Sequence, residues 1–398
     1  MERVNAIRYP GSDGMREWLQ EATDFYPGWA RLEDAHTVAV GEERLYGRRI
    51  VIHTGARARK PEIEGIDSVP WLDNRGILAL ERLPAHLMII GSSYIAMEFA
   101  QAFRRLGSRV SVFARGERIV TREDPDVSAE VLRIMRDEGV EFYFRSEPRR
   151  LSRTEKGVRL QYERDGREES LSGSHILIAV GRMPNSDGLN LPAAGVETDR
   201  RGFIQVDDEG RTSIPHIYAL GDVNGRGAFT HTSVHDGQAF MDHLRGGGED
   251  AGGEGDRGED AGGKSAGRRT LSSRHPIHAM YIDPPLARVG MSEQEARKSG
   301  RRALVGTMPM SSVNRAREKD ETNGLIKVIV EAESQRILGA TVFGVGGDEI
   351  IGMLALAMQA DLPYTALQET VIPHPTVAEL MPFVFADLKP LEETRSPG

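Results

Sequence analysis

The chain has 398 residues, room for several domains at roughly 100–200 residues each, and its 39% hydrophobic and 28% charged content is that of a folded globular protein. A net charge of −9 argues against the clustered excess positive charge that a nucleic-acid surface needs, and no stretch reaches the roughly 18 uninterrupted apolar residues of a membrane span, since the nearest, "LMIIGSSYIAMEFAQAF", carries Glu98. There is no cysteine, which excludes disulfides, thiolate metal sites and a cysteine nucleophile within these residues, and the start "MERVNAIRYPGSDG" has no apolar signal core, so a cytoplasmic location is expected.

Residues 1–70 begin polar and reach a strand-like run, "RRIVIHTGA" (48–56), before the Pro-punctuated link "KPEIEGIDSVP". From about 86 to 180 strand and helix patterns alternate, which implies a parallel sheet. "HLMIIG" is apolar throughout, as a strand buried on both faces should be. "YIAMEFAQAFRRLG" predicts a helix with Ile95, Phe99, Ala102 and Leu106 on its apolar face and a stop at Gly107. "RVSVFA" and "HILIAVG" predict two further strands, and "DPDVSAEVLRIMRDEG" a capped helix. After about 188 the pattern changes, and "IYALGDVNGRG" reads as a strand running into a Gly-rich turn. Residues 246–267 are Gly and acid with little to bury and are expected to form a solvated linker. From about 275 to 390 an α+β segment follows, with strands "LIKVIVEA" and "ILGATVFG" and a helix "DEIIGMLALAMQA".

"IIGSSYIAMEFA" follows a strand and opens a helix, where a pyrophosphate would meet backbone N–H groups and the positive helix end. Gly91, Ser93 and Ala96 occupy the positions of a G-x-G-x-x-G/A fingerprint; a plain packed turn is the alternative. Ser93 stands where the backbone must approach the phosphates. At the end of the next strand no acid awaits a ribose hydroxyl; Ala114 is followed by Arg115 and Arg118. These suit a 2′-phosphate and hence NADP, unless both are merely solvated surface residues. His231 and His235 have helical i,i+4 spacing but nothing near them completes a ligand set, so no metal site is expected. Near the end, "VIPHPTVAE" offers His374 and Glu379 as an imidazole held by a carboxylate; Thr376 to Glu379 also reads as a capping box, in which Glu379 needs no catalytic task.

Taken in order, "GSSYIAMEFA", "VSVFAR", "HILIAVGRMPNSDGLNL", "GFIQVDDEGRTSIPHIYALGDVNGRGAFTHTS", "IDPPLARVGMSEQEA" and "HPTVAEL" resemble the FAD-dependent pyridine nucleotide-disulfide oxidoreductases, nearest to their mercuric-reductase-like branch. The resemblance implies an α/β fold. A remnant of the FAD-binding domain would span 1–70 and an NAD(P)-binding domain 71–187. The second part of the FAD domain would span 188–270, and an α+β dimerisation domain 271–390. It implies FAD bound through Gly221 and Asp222, with the helix near Thr230 aimed at the flavin. Thr54-Gly55 and Gly181-Arg182 would be the chain crossings beside the cofactors. Tyr94 would shield the flavin where nicotinamide stacks, and Glu98 matches a carboxylate that pairs with a lysine.

The same resemblance places a first FAD-binding βαβ unit, the redox cysteine pair and that lysine ahead of the Thr54-Gly55 strand. Met1 falls after this region, so all three are expected to be missing from the chain. His374 and Glu379 are then expected to serve the partner subunit's site in a homodimer. Hydride would pass from NADPH to FAD and on to a small-molecule electron acceptor without disulfide chemistry. The alternatives are a non-catalytic NADP-binding or dimerisation remnant and an N-terminally truncated form of a mercuric-reductase-like enzyme.

Overall fold

The computed structural model describes residues 2–246 and 269–391, so the expected linker lies, from 247 onward, outside the described residues. The chain opens with helix α1 (Glu2–Ala22), which the polar start did not suggest because it holds Pro10, Gly11 and Gly14. A small antiparallel meander follows, β1 (Ala30–Leu32), β2 (Thr37–Val40) and β3 (Glu43–Tyr46). The run 48–56 becomes two short strands, β4 (Ile50–Ile52) and β5 (Ala56–Ala58).

The alternating region folds as read into a four-stranded parallel sheet. It contains β6 (His86–Ile90), α2 (Tyr94–Arg105), β7 (Arg109–Phe113), α3 (Pro125–Asp137) and β8 (Glu141–Tyr143). The antiparallel strands β9 (Ser146–Thr154), β10 (Gly157–Arg164) and β11 (Arg167–Gly173) intervene before β12 (His175–Ile178) closes the sheet beside β6, in the order β12-β6-β7-β8. Leu87, Met88, Ile89, Val110 and Val112 are wholly buried; each such side chain contributes about 1.5–3 kcal/mol of hydrophobic stabilisation.

The buried face of α2 is not the one expected. Ala96, Met97, Ala100 and Phe103 pack inward, while Ala102 is exposed and Leu106 is 66% exposed. The sheet is approached by the stripe carrying the small residues Ala96 and Ala100, which bring the helix closest to β6 and β7. The expected cap of α3 is also redirected. Asp124 sits at the N-cap, but its carboxylate accepts the Glu293 N–H at 3.0 and 3.3 Å instead of an N–H of its own helix.

Next come β13 (Arg182–Pro184), antiparallel to β5, β14 (Ile217–Ala219), parallel to β4, and α4 (Thr230–Arg245). The final segment holds β15 (Ile277–Met280), β16 (Leu286–Gly290), α5 (Glu293–Lys298), β17 (Ala303–Pro309), α6 (Asn314–Glu318), β18 (Leu325–Glu331) and β19 (Ile337–Phe343). It continues through α7 (Gly347–Gln359), α8 (Tyr364–Gln368), α9 (Met381–Val384) and β20 (Lys389–Pro390). Its strands form one sheet in the order β15-β16-β19-β18-β17-β20, and Leu354 and Ala357 of α7 pack against it.

The chain divides into two units. One comprises residues 1–59 with 181–274, the other 60–180 with 275–398. Among the described residues no helix is long and apolar enough to cross a membrane.

Candidate active site

In the second unit, the turn after β6 has the geometry a pyrophosphate needs. Gly91 has φ +123°, and a Cβ there would lie 2.2 Å from the Ala179 carbonyl oxygen, so only glycine fits. Ser93 is the N-cap of α2, but its hydroxyl makes no capping bond. The N–H groups of the first helical turn therefore remain available to an anion. Ala96 is fully buried. A backbone cradle that a Cβ would fill, opening onto a helix N-terminus, fits a dinucleotide.

Beyond β7 the two expected arginines part. Arg115 is exposed and makes no hydrogen bond or ion pair among the described residues. Arg118 turns back, its Nη2 donating to the carbonyls of Thr121 and Glu123 at 3.3 and 3.4 Å. Arg118 thus braces the loop through one nitrogen, and Arg115 is the more exposed of the two. Arg145, remote in sequence, lies beside the same turn: its N–H donates to the Gly116 carbonyl at 3.2 Å.

Tyr94, the first residue of α2, enters a buried polar cluster that the sequence did not announce. Its hydroxyl bonds the Glu123 carboxylate and lies 2.6 Å from Nε2 of His278 on β15. That Nε2 is also 3.1 Å from Glu123 Oε1, and Arg288 Nε on β16 is 3.2 Å from Glu123 Oε2. The Glu123 side chain has no exposed surface. Burial pushes the Tyr94 phenol far above its ordinary range, and the Glu123 charge pushes it the same way, so it stays a donor. Burial also acts to raise the Glu123 carboxyl. The bond from His278, the Arg288 charge and the Tyr94 hydroxyl outweigh it and leave that carboxyl below the ordinary range.

Glu98 lies one helical turn beyond Tyr94. Among the described residues it has no cationic partner, and it accepts the Tyr281 N–H at 2.8 Å. Burial holds its carboxyl above the ordinary range, against the pull of that bond. A carboxyl whose folded pKa exceeds its unfolded value loses stability as pH rises through the folded value. Glu98→Gln, which keeps the acceptor, is therefore expected to raise the melting temperature at pH 7 and to lose that advantage near pH 4, as a thermal-melt series across pH would show.

Asp124, Asp126 and Glu293 are grouped closely enough to suggest a cation site. The cation is already present in the chain: Lys327 Nζ lies 2.6 Å from Asp126, 2.5 Å from Glu293 and 3.5 Å from Asp124.

Near the chain end His374 Nδ1 is 2.8 Å from Glu379 Oε2. The imidazole is 72% exposed and the carboxylate 13%. Half of the capping box is present, since the Glu379 N–H donates to Thr376 Oγ1 at 3.2 Å, but the Glu379 side chain goes to the imidazole instead of closing the box. The pair borders a cavity of about 440 Å³ lined also by Gln368, Thr370, Ile372 and Phe383.

In the first unit the expected crossing points meet. Thr54 Oγ1 donates to the Asn185 carbonyl and Asn185 Nδ2 to the Thr54 carbonyl, each at 2.8 Å, while the Arg59 N–H donates to the Gly181 carbonyl at 2.9 Å. Gly221 follows β14 with φ +71°; a Cβ there would lie 2.7 Å from His53 Nε2 and 2.8 Å from Ser233 Oγ. Asp222 lies 3.6 Å from Arg182 Nη2, and Arg182 Nε is a buried N–H without a partner among the described residues. Thr230 is exposed at the first position of α4. The orphaned N–H, the tight Gly221 turn and the helix start are polar features that fit the ribityl and ring portions of a flavin. Asp236, 1% exposed, braces this turn by accepting the Gly221 N–H at 2.9 Å and Asn224 Nδ2 at 3.0 Å. Its polar, unremarkable setting in "SVHDGQ" gave no sequence signal.

Comparison with known proteins gives the family of the chain. Residues 11–237 match the model of the pyridine nucleotide-disulphide oxidoreductases, and 277–383 match that family's dimerisation domain. The chain is 33% identical to the probable pyridine nucleotide-disulfide oxidoreductase RclA of Escherichia coli (strain K12), over 92% of this chain and 79% of that protein. It is 31% identical to a mercuric reductase of Lysinibacillus sphaericus, over 89% of this chain and 62% of the reductase. The solved structure of the HOCl-induced flavoprotein disulfide reductase RclA from Escherichia coli superposes with a TM-score of 0.85 at 31% identity, covering 97% of this chain and 84% of that one. The family is FAD-dependent and uses NAD(P)H. With Rossmann-like FAD/NAD(P)-binding regions and an α+β dimerisation domain in family order, the chain belongs to the pyridine nucleotide-disulphide oxidoreductases.

Proposed function

We infer that the protein is a flavin-dependent NADPH oxidoreductase that works as a homodimer and delivers electrons to a small-molecule acceptor. The flavin, when bound, supplies the redox chemistry; the protein supplies orientation and electrostatics. The single observation that carries the reading is the Gly91 turn, a cradle closed to any Cβ and opening onto the uncapped start of α2. Glycine and helix dipole would hold the pyrophosphate, and Arg115 the 2′-phosphate. Gly221, Asp222 and Arg182 would bind the flavin side chain, and α4 would present its positive end to the ring. His374, oriented by Glu379, would handle protons on the acceptor side. None of the 398 residues is a cysteine, so no dithiol step is assigned to them, nor the soft-ion reduction for which the mercuric reductases are named.

The test is to purify the chain, record its visible spectrum for bound flavin and add NADPH without oxygen. Flavin absorbance that bleaches supports the reading. A colourless protein that binds NADPH would favour the second reading, an NADP-binding dimerisation module, to which the lack of any cysteine lends weight.

Cofactor preference gives a sharper result. Arg115→Ala is expected to weaken NADPH binding by about 1–3 kcal/mol, the scale of a hydrogen bond to a charged group, and to leave NADH nearly unchanged. Calorimetric titration with both dinucleotides checks it; equal weakening of the two would remove Arg115 from the 2′-phosphate site.

A further inference from the structure

We propose that Glu123 and His278 are positioning residues that clamp the hydroxyl of Tyr94 and fix its ring for the nicotinamide end of the dinucleotide, a role that rests on the NADPH reading above.

Tyr94 belongs to the same βα turn as the pyrophosphate cradle, beginning three residues after Gly91. A tyrosine held only at its Cα can swing about two side-chain torsions. Here its far end is fixed as well, by Glu123 from the loop before α3 and by His278 from β15. Since Glu123 accepts and the Tyr94 hydroxyl donates, Nε2–H of His278 is the donor that satisfies both oxygens.

Packing alone does not account for the cluster. A buried carboxylate–guanidinium pair gives no more stability than apolar side chains of similar volume, so Glu123 and Arg288 are a poor choice if only a filled core were required. The loop that delivers Glu123 also carries backbone strain. Val120, buried and β-branched, has φ +38°. Its N–H donates to the Ser92 carbonyl at 2.7 Å, and its carbonyl accepts the Glu123 N–H at 2.8 Å. The strained residue thus ties the dinucleotide turn directly to the clamping carboxylate, and such strain is retained where the geometry serves a site. Holding the ring in advance removes an ordering cost that the nicotinamide would otherwise meet on binding.

The experiment compares two probes on the full chain by calorimetry: NADPH, and 2′-phospho-ADP-ribose, which lacks the nicotinamide. The variants are Tyr94→Phe, which keeps the ring and leaves the Glu123–Arg288 pair intact, His278→Leu, and both together. Each single variant is expected to bind NADPH roughly 2–10-fold more weakly, the scale of immobilising one side chain, with 2′-phospho-ADP-ribose unaffected. Because both act through one hydroxyl, the double variant should be no weaker than Tyr94→Phe alone. Unchanged NADPH affinity, equal losses for the two probes, or additive losses in the double variant would each overturn the clamp while leaving the NADPH reading in place. A parent chain that binds neither probe would instead overturn that reading and the clamp with it.

Discussion

Replacing Lys327 with methionine is expected to destabilise the protein by about 3–5 kcal/mol at neutral pH, the scale for removing one partner of a buried ion pair. The Lys327 side chain is 1% exposed, and Asp124 is 3% exposed beside it. Asp126 is half-exposed, so water takes over part of its loss and the lower end of the range is the better expectation. Burial alone would lower the ammonium pKa, but the bonds to Asp126 and Glu293 prevail and hold it above its ordinary value. The ammonium's contribution is therefore present throughout the neutral range and is lost only as pH rises through that raised value. The carboxylates give the variant its signature. Asp124 already sits above the ordinary carboxyl range through burial, despite the lysine charge. Without the lysine it moves higher still. Its ionisation is then penalised increasingly as pH rises through the folded value, and the deficit of the variant should be larger at pH 7 than near pH 4. Urea unfolding at the two pH values measures this. A loss independent of pH would show that the cluster is not ionised as its distances imply.

Part of the candidate site's geometry was legible because its signals are local. Gly91 and Ser93 follow a run of apolar residues and lead into α2, with Ala96 in its first turn, and a turn of that form is what their spacing suggested. His374 and Glu379 lie five positions apart and meet as their spacing suggested. The clamp on Tyr94 was not legible, because its partners lie 29 and 184 positions away and only the tertiary fold brings them together. The same holds for Lys327, which reads in "LIKVIVEA" as an ordinary polar interruption of a strand. The misread face of α2 has a different origin. The stripe with Ile95 and Phe99 and the stripe with Ala96 and Ala100 are both apolar, and hydrophobic pattern alone does not rank them. The sheet selects the one whose small side chains allow close approach. Of the strands β9 to β11, β10 was legible and went unread, since Val158, Leu160 and Tyr162 are buried in alternation with exposed Arg159 and Gln161. β11 carries no such pattern, because every residue of "REESLS" but Leu171 is exposed.

Replacing His374 with alanine is expected to leave reduction of bound flavin by NADPH intact and to slow a later, proton-dependent step by up to about 10²–10⁴-fold, the range for a positioned general acid or base. The geometry divides the two steps. Glu379 is largely buried and holds Nδ1 of the imidazole, so the ring is oriented while most of its surface faces outward. A base with an oriented ring and an exposed second nitrogen is suited to a reactant brought from outside its own segment. Val371 is 95% and Phe383 61% exposed close to the pair in sequence, apolar surface that a second copy would cover in a family with a dimerisation domain here. A two-fold interface is self-complementary, so each His374 would serve the partner's site and two equivalent sites would result. Glu379→Gln should fall between parent and His374→Ala, since it keeps a hydrogen bond to Nδ1 but loses the charge of the group that orients the ring. Stopped-flow traces under NADPH separate the flavin-reduction phase from reoxidation by acceptor, and sedimentation gives the oligomer. Equal slowing of both phases would place His374 on the nicotinamide side, and a monomer with full NADPH-dependent turnover would refute the shared site.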